Sequence, residues 1–469
     1  MPATAIRLSP LDDSFLAVES PTAHMHVGWA SVFEPPSADE RPSFAELRRH
    51  IGCRLSRAPR FRQRLSPAPL GLDSPSWIDD QAFDLGRHVR RARSADLDEV
   101  VADCMSQQLD RDRPLWEIRV ADRLADGRIG VVGKAHHCMV DGIAAVELAS
   151  VLLDPTSGAP EETGDDWRPR EPPSTAARLA GIGAAKAREQ LELVRGTVRL
   201  LLSPQRLRDA PRRAAAAATG AVARTLRPAS PVSPLNEPIS PGRVLARVGR
   251  PLADLLRVKR RFGTTVNDVY LAAATGAVRR LFEERGQDPV PLKTMVPVSV
   301  REDGELDQLG NRISFMFVDL PCDEPDPERQ LRRVQMETSE CKRAGDPGTT
   351  DSALRLVAYA PRVMRRLVAR AMATPQMFNL VVSNIPGPRE PMFMRGCGLV
   401  EAYPIVPLAD RHAFSIGMTT IRDRAYFGLY ADRDSADDVH VLAEGLERAT
   451  DRLVALTRDR RRQVRPALA

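Results

Sequence analysis

The residues best suited to chemistry lie between positions 130 and 148, in GVVGKAHHCMVDGIAAVEL: the adjacent histidines His136 and His137, then Asp141 and Gly142. An imidazole titrates near neutrality, roughly pKa 6.5, so a positioned histidine can take a proton from a hydroxyl and return it to a leaving group. Adjacent side chains on extended backbone face opposite ways, so one histidine meets substrate and the other the packed interior. His137 is assigned as the base, with His136 as its neighbour. Asp141 either orients the loop by pairing with a distant arginine or holds the imidazole directly, and Gly142 lets backbone pass close by. Cys138 follows His137 directly but points away from it, a packing residue rather than a nucleophile. His137 and Asp141 also have the spacing of one helical face. No HExxH pattern and no third ligand accompany them, so no metal is expected.

Such a pair needs a rigid strand to carry it and a turn to end it. Residues 116–120 and 129–135, joined by Ala125-Asp126-Gly127-Arg128, read as a hairpin delivering the histidines, and Asp141-Gly142 as the cap of a helix that follows. Upstream, Ser9-Pro10 precedes a short helix over 12–18 and a strand over 26–33. His24 and His26 alternate there with Met25 and Val27, as one face of a strand lining a substrate entrance or as a second proton-handling pair. Helices are expected over 43–55 and 97–108, and Trp116 belongs to the core.

Residues 154–170 have linker composition, followed by a long helical segment broken at Ser203-Pro204. Positions 174–227 hold eleven Lys/Arg against three acids, a surplus larger than the +6 of the whole chain. A basic amphipathic segment of this kind can lie on an anionic membrane or serve as a solvated crossover between domains, and the two are compatible. The second half shows a strand over 244–248, helices over 252–262 and 267–281 with Thr265 as cap, strands over 292–300 and 313–320, and helices over 327–341 and 352–372. Strands over 413–420 and 424–430 and a helix over 437–457 close it. Small residues in the 267–281 helix suit close packing on a sheet. Asn311 either holds a tight turn or donates to a developing oxyanion.

HHCMVDG fits the HHxxxDG signature of the CoA-dependent acyltransferase superfamily. Residues 8–28 (LSPLDDSFLAVESPTAHMHVG), Pro114-Leu115-Trp116-Glu117, Asn267-Asp268-Val269, residues 296–301, residues 310–314 and residues 383–388 make the chain resemble the bacterial wax ester synthase/acyl-CoA:diacylglycerol acyltransferase family over nearly its whole length. The resemblance implies an α/β fold of two chloramphenicol acetyltransferase-like sandwich domains with an active-site tunnel between them. It implies His137 as general base, acyl-CoA as substrate rather than cofactor, and diacylglycerol or a long-chain alcohol as acceptor. Related enzymes anchor the motif aspartate on a remote arginine, here Arg64 with Arg62 as substitute. Asn267 and Asp268 then either contact CoA or cap their helix, and Ser383 and Asn384 belong to a segment that in related folds crosses over beside the histidines.

Length suits two or three domains, placed at 1–165, 166–240 (the basic helical crossover) and 241–469. Six scattered cysteines without CxxC pairs suit reduced thiols in the cytosol. The N-terminus lacks the pattern of a signal peptide, and no stretch approaches the ~20 apolar residues of a membrane span. The expectation is a cytoplasmic protein in peripheral contact with the inner face of a membrane or with lipid droplets. An aromatic share of 5% and no recognised motif argue against nucleic acid. A peptide condensation domain would come with carrier and adenylation modules. A lipid-surface binding protein with a retired site is opposed by the intact motif, which leaves an O-acyltransferase, with another hydroxyl acceptor as the alternative.

Overall fold

Extended, alternating segments form two six-stranded sheets, and the histidine pair stands at the end of a central strand of the first. The computed structural model describes residues 6–71, 73–139, 152–158, 167–201, 227–232, 235–299, 313–343 and 360–463. In chain order the first half runs β1 (Ile6–Arg7), α1 (Pro10–Val18), β2 (His26–Glu34), α2 (Phe44–Arg54), β3 (Gln63–Ser66), β4 (Ser76–Asp79), α3 (Leu85–His88), β5 (Val89–Arg91), α4 (Leu97–Met105), β6 (Trp116–Ala121), β7 (Ile129–His136) and α5 (Thr175–Leu201). The second half runs β8 (Arg243–Pro251), α6 (Leu252–Phe262), α7 (Val266–Glu284), β9 (Leu292–Ser299), β10 (Ile313–Leu320), α8 (Pro327–Arg343), α9 (Arg362–Met372), β11 (Leu380–Ile385), β12 (Phe393–Met394), β13 (Cys397–Ile405), β14 (Phe414–Ile421), β15 (Arg424–Asp432) and α10 (Val439–Gln463).

The helices start where their sequences offer caps. Ser9 accepts from the Asp12 amide ahead of α1, Asp96 from Asp98 and Glu99 ahead of α4, and Thr265 forms a reciprocal capping box with Asp268 ahead of α7.

The first sheet has the order β12-β13-β2-β7-β6-β5 and the second β10-β9-β11-β14-β15-β8, while β1, β4 and β3 form a small third sheet. The expected hairpin is present: β6 and β7 pair antiparallel, with Trp116 opposite Ala135. Every residue of β7 is buried, because α4 packs against it and the sheet continues on both sides. Trp116 is core, its indole N–H donating to the Phe61 carbonyl at 2.7 Å.

Two expectations are corrected. The segment around Ser383 does not cross to the first sheet; β11 lies inside the second, parallel to both β9 and β14. The crossing is made by β12 and β13, further along, where β13 pairs antiparallel with β2 and sets Ile405 opposite Gly28. The two sheets therefore do not divide at a single point of the chain. The small residues of α7 also serve a different neighbour, since Gly276 lies against Ala449 and Ala277 against Gly445 of α10, a close helix–helix approach.

Arg243 at the start of β8 stitches the halves together. Its backbone N–H donates to Ser106 Oγ at 2.9 Å, and its buried guanidinium reaches the Thr22 carbonyl and Asp432.

Candidate active site

β7 ends at His136, and the chain turns through His137–Met139, so the two rings separate as alternation requires. His136 turns inward. Its Nδ1 accepts the backbone N–H of Cys138 at 3.1 Å, which leaves the proton on Nε2, 3.6 Å from Glu19 Oε2. Both side chains are buried. Glu19 lies just beyond α1 and also accepts from Gln108 Nε2 at 2.7 Å and Arg111 Nε at 2.8 Å. Burial alone would raise the Glu19 carboxyl, but the hydrogen bonds and charge around it, those of His136 foremost, outweigh burial and bring it down to about 2.

His137 turns the other way and is half-buried. Its backbone N–H donates to the Met25 carbonyl at 2.9 Å, and its ring stacks on Phe15 of α1 with centroids 3.7 Å apart and planes 15° from parallel. Nδ1 is enclosed, away from solvent. Burial pushes the imidazole down to about 4, opposed by an interaction with the residue's own backbone and aided by the neighbouring His136. The ring is thus neutral at physiological pH and fixed in orientation by an aromatic face. Burial raises the Cys138 thiol well above its ordinary range, which suits the packing role and not a nucleophile.

His24 and His26 do not line an entrance. Both are buried: His24 Nε2 lies 2.9 Å from the Pro21 carbonyl, and His26 sits directly across the sheet from His136, ring centroids 6.4 Å apart. Lys134, on the same side of β7 as His136, is buried with its ammonium on the carbonyls of Cys104 and Gln107 and 3.4 Å from Glu117. Charged and aromatic supports thus surround the first histidine, while the second meets Phe15.

A model of the wax ester synthase/diacylglycerol acyltransferase catalytic domain matches residues 8–270, and one of the C-terminal domain of the same enzymes matches residues 309–453. The chain belongs to the wax ester synthase/diacylglycerol acyltransferase family. It is 35% identical, over 97% of each chain, to a probable diacylglycerol O-acyltransferase of Mycobacterium tuberculosis strain H37Rv. A putative diacylglycerol O-acyltransferase of the same strain is 32% identical over 94% of this chain and 97% of that one. The solved wax ester synthase/diacylglycerol acyltransferase from Marinobacter aquaeolei VT8 is similar with a TM-score of 0.67 at 25% identity, covering 96% of this chain and 99% of that one. The first condensation domain of the calcium-dependent antibiotic synthetase, 15% identical with a TM-score of 0.57 over 97% of both chains, shares the fold.

The other candidate residues named from the sequence stand apart from the histidines where they are described. Asp141, Gly142 and Asn311 lie outside the described residues. Arg64 faces Asp80, with Nε 3.9 Å from the carboxylate, and the buried Arg62 stacks over Trp167 at 4.9 Å. Asp268 caps its helix, and besides the capping box it accepts from Thr338 Oγ1 at 2.7 Å and so ties α7 to α8. Asn267 stands half-buried beside it, and Ser383 and Asn384 stand near the end of β11; none is hydrogen-bonded to either histidine among the described residues.

Phe15 and Glu19, which touch the two rings, were not singled out from the sequence. Both lie within the family-like stretch 8–28, where an aromatic and an acid close to each other at a helix end were the available signal. Among the described residues no group of His, Cys, Asp and Glu is arranged to hold a metal ion.

Proposed function

We propose that this acyltransferase moves a long-chain fatty acyl group from acyl-CoA to diacylglycerol, and also to long-chain alcohols, with His137 as general base. The observation that carries the reading is the His137 ring, clamped on Phe15 with Nδ1 enclosed, which makes Nε2 the working nitrogen. As the acceptor oxygen attacks the thioester carbon, Nε2 takes its proton. The tetrahedral oxyanion then collapses, the C–S bond breaks, and the imidazolium returns the proton to the CoA thiolate. A free alcohol is too weak an acid to be ionised beforehand, so proton transfer accompanies attack.

Relatives named as diacylglycerol O-acyltransferases support the acceptor class. In this reading residues 1–165 carry the base, residues 166–240 link the halves, and residues 241–469 close the site, with Asn267, Asn311, Ser383 and Asn384 as candidate substrate contacts. Asp141 and Gly142 shape the loop, with Arg64 or Arg62 as the counter-charge. The acceptor lipid brings the protein into peripheral contact with the inner face of a membrane or with a droplet surface; no described helix is long and apolar enough to cross a membrane.

The test is incubation of purified protein with palmitoyl-CoA and either dioleoylglycerol, hexadecanol or no acceptor, following CoA release and lipid products. Triacylglycerol or wax ester is expected, and His137→Ala should lose roughly 10²–10⁴-fold in turnover, the usual worth of a general base, while keeping its fold and thioester binding. Turnover by that variant at the wild-type rate would rule out His137 as the base. CoA release without either product would redirect the search to another hydroxyl acceptor, and no release at all would favour a lipid-binding protein.

A further inference from the structure

Among the described residues, six of the ten exposed large apolar side chains stand in one corner beside α1, the others being Leu191, Val290, Met336 and Ile385. Leu70 is 86% exposed, Val363 72%, Leu367 56% and Met364 53%, with Ile6 and Leu179 also exposed. Isolated exposed apolar residues need no explanation, but a set gathered around one corner does.

The corner is held together by polar contacts underneath. Arg362 makes two 3.0 Å hydrogen bonds to Asp13 of α1, Arg365 donates to Ser74 Oγ at 3.2 Å, and Arg370 Nε to the Ala17 carbonyl at 3.0 Å. These bonds pin one side of α9 to α1 and turn Val363, Met364 and Leu367, at i, i+1 and i+4, outward. Leu70 sits four residues before Ser74 in a turn with φ of +56°, a left-handed conformation unfavourable for a branched side chain. Arg178 of α5 clamps the same loop through the Ser66 hydroxyl at 3.0 Å and the Pro67 carbonyl at 2.5 Å, which brings Leu179 alongside.

The charge of the corner is one-sided. α9 carries four arginines and no acid in eleven residues; three turn to Asp13, Ser74 and the Ala17 carbonyl, and Arg366 stands at helical spacing from Val363. A second copy of the chain seated here would set arginine against arginine. An anionic phospholipid layer satisfies both halves of the pattern, acyl chains against the apolar stripe and headgroup phosphates against Arg366 and the net positive charge of the helix.

We propose that α9 and the Leu70 turn form the docking face of this protein for an anionic phospholipid bilayer. The proposal rests on the acceptor being a lipid and adds where that lipid is met. Because α1 carries Phe15 against His137 on one side and α9 on another, docking sets the bilayer one helix away from the base. The acceptor then comes from the layer rather than through water.

Full-length protein is mixed with sucrose-loaded vesicles of phosphatidylcholine, with or without phosphatidylglycerol, and sedimented. Strong partitioning onto the anionic vesicles is expected, weakened by salt. Val363→Asp combined with Leu367→Asp should lower the partition coefficient by roughly tenfold or more, from two apolar side chains withdrawn from the layer. Turnover of butyryl-CoA with hexanol, a pair that needs no bilayer, should stay unchanged. Leu70→Asp, in a surface turn, serves as a second variant should the helix substitutions disturb folding, with a loss of about threefold or more expected. Wild-type protein that ignores anionic vesicles overturns the proposal. So do patch variants that partition like wild type, or that convert a concentration-dependent dimer to monomer. Intact vesicle binding with no acyl transfer to any acceptor would instead defeat the proposed reaction and leave the docking face standing.

Discussion

At the scale of single residues, the chemistry of His137 follows from its surroundings. Stacked on Phe15 and drawn out of water, the imidazole binds a proton weakly, at about pH 4. A weaker base abstracts a proton less readily, but its imidazolium is a strong acid, and transfer to a thiolate whose conjugate thiol titrates near 8.5 is steeply downhill. The site therefore favours expulsion of CoA over ionisation of the alcohol. Since the working form is neutral, activity persists as pH falls until the ring protonates. The acid limb of kcat/KM should accordingly lie near pH 4 instead of near the ~6.5 of a solvated histidine. A pH–rate profile with a soluble acceptor measures it, and a limb at 6.5 would mean that the ring is hydrated in the free enzyme. Glu19 acts one shell away, giving the Nε2 proton of His136 a buried anion to face and holding α1 to the end of β7.

Among the elements, β13 matters most. It leaves the part of the chain that builds the second sheet and pairs with β2, which in turn pairs with β7, so that Ile405, Gly28 and Lys134 stand in one row two residues before His136. Its passage between the sheets is tight. A Cβ on Gly428 would lie 2.1 Å from the Pro404 carbonyl oxygen and one on Gly417 3.0 Å from the Pro404 ring. Gly428→Ala must therefore push backbone from backbone. A loss of about 1–3 kcal/mol in stability is expected, the range of overpacked cores, together with reduced turnover as β2 and β7 shift. Urea unfolding and a palmitoyl-CoA assay on the same preparation check both, and wild-type stability would show that β13 can yield at no cost.

For the whole molecule, one sheet borrowing strands from the far half of the chain makes the halves interdependent. A fragment of residues 1–240 keeps β2, β5, β6 and β7 but leaves β2 as an open, buried-type edge, the kind of edge that pairs with other chains. Such a fragment is expected to aggregate on sedimentation. The same fragment with residues 391–406 appended through a flexible linker should be recovered as a monomer. If the bare fragment is monomeric and folded, the borrowed strand is dispensable for the first sheet.

Much of this was legible along the chain, because it is local. Ser9 and Thr265 announce helices by accepting backbone N–H groups of the first turn, the 116–136 hairpin follows from alternation around Asp126-Gly127, and two histidines at a strand end diverge by the geometry of extended backbone. The family resemblance rested on segments equally short. Contacts between distant segments were not legible. That Phe15 lies under His137, that Glu19 faces His136, that His24 and His26 are buried beside them, and that residues 393–405 rather than 380–387 make the crossing all depend on which segments meet. Alternation marks a strand without naming its neighbour, and a helix end says nothing of the ring it will touch. Residue order thus supplied the base and the elements that carry it, while packing across hundreds of residues supplied the environment that sets its proton affinity.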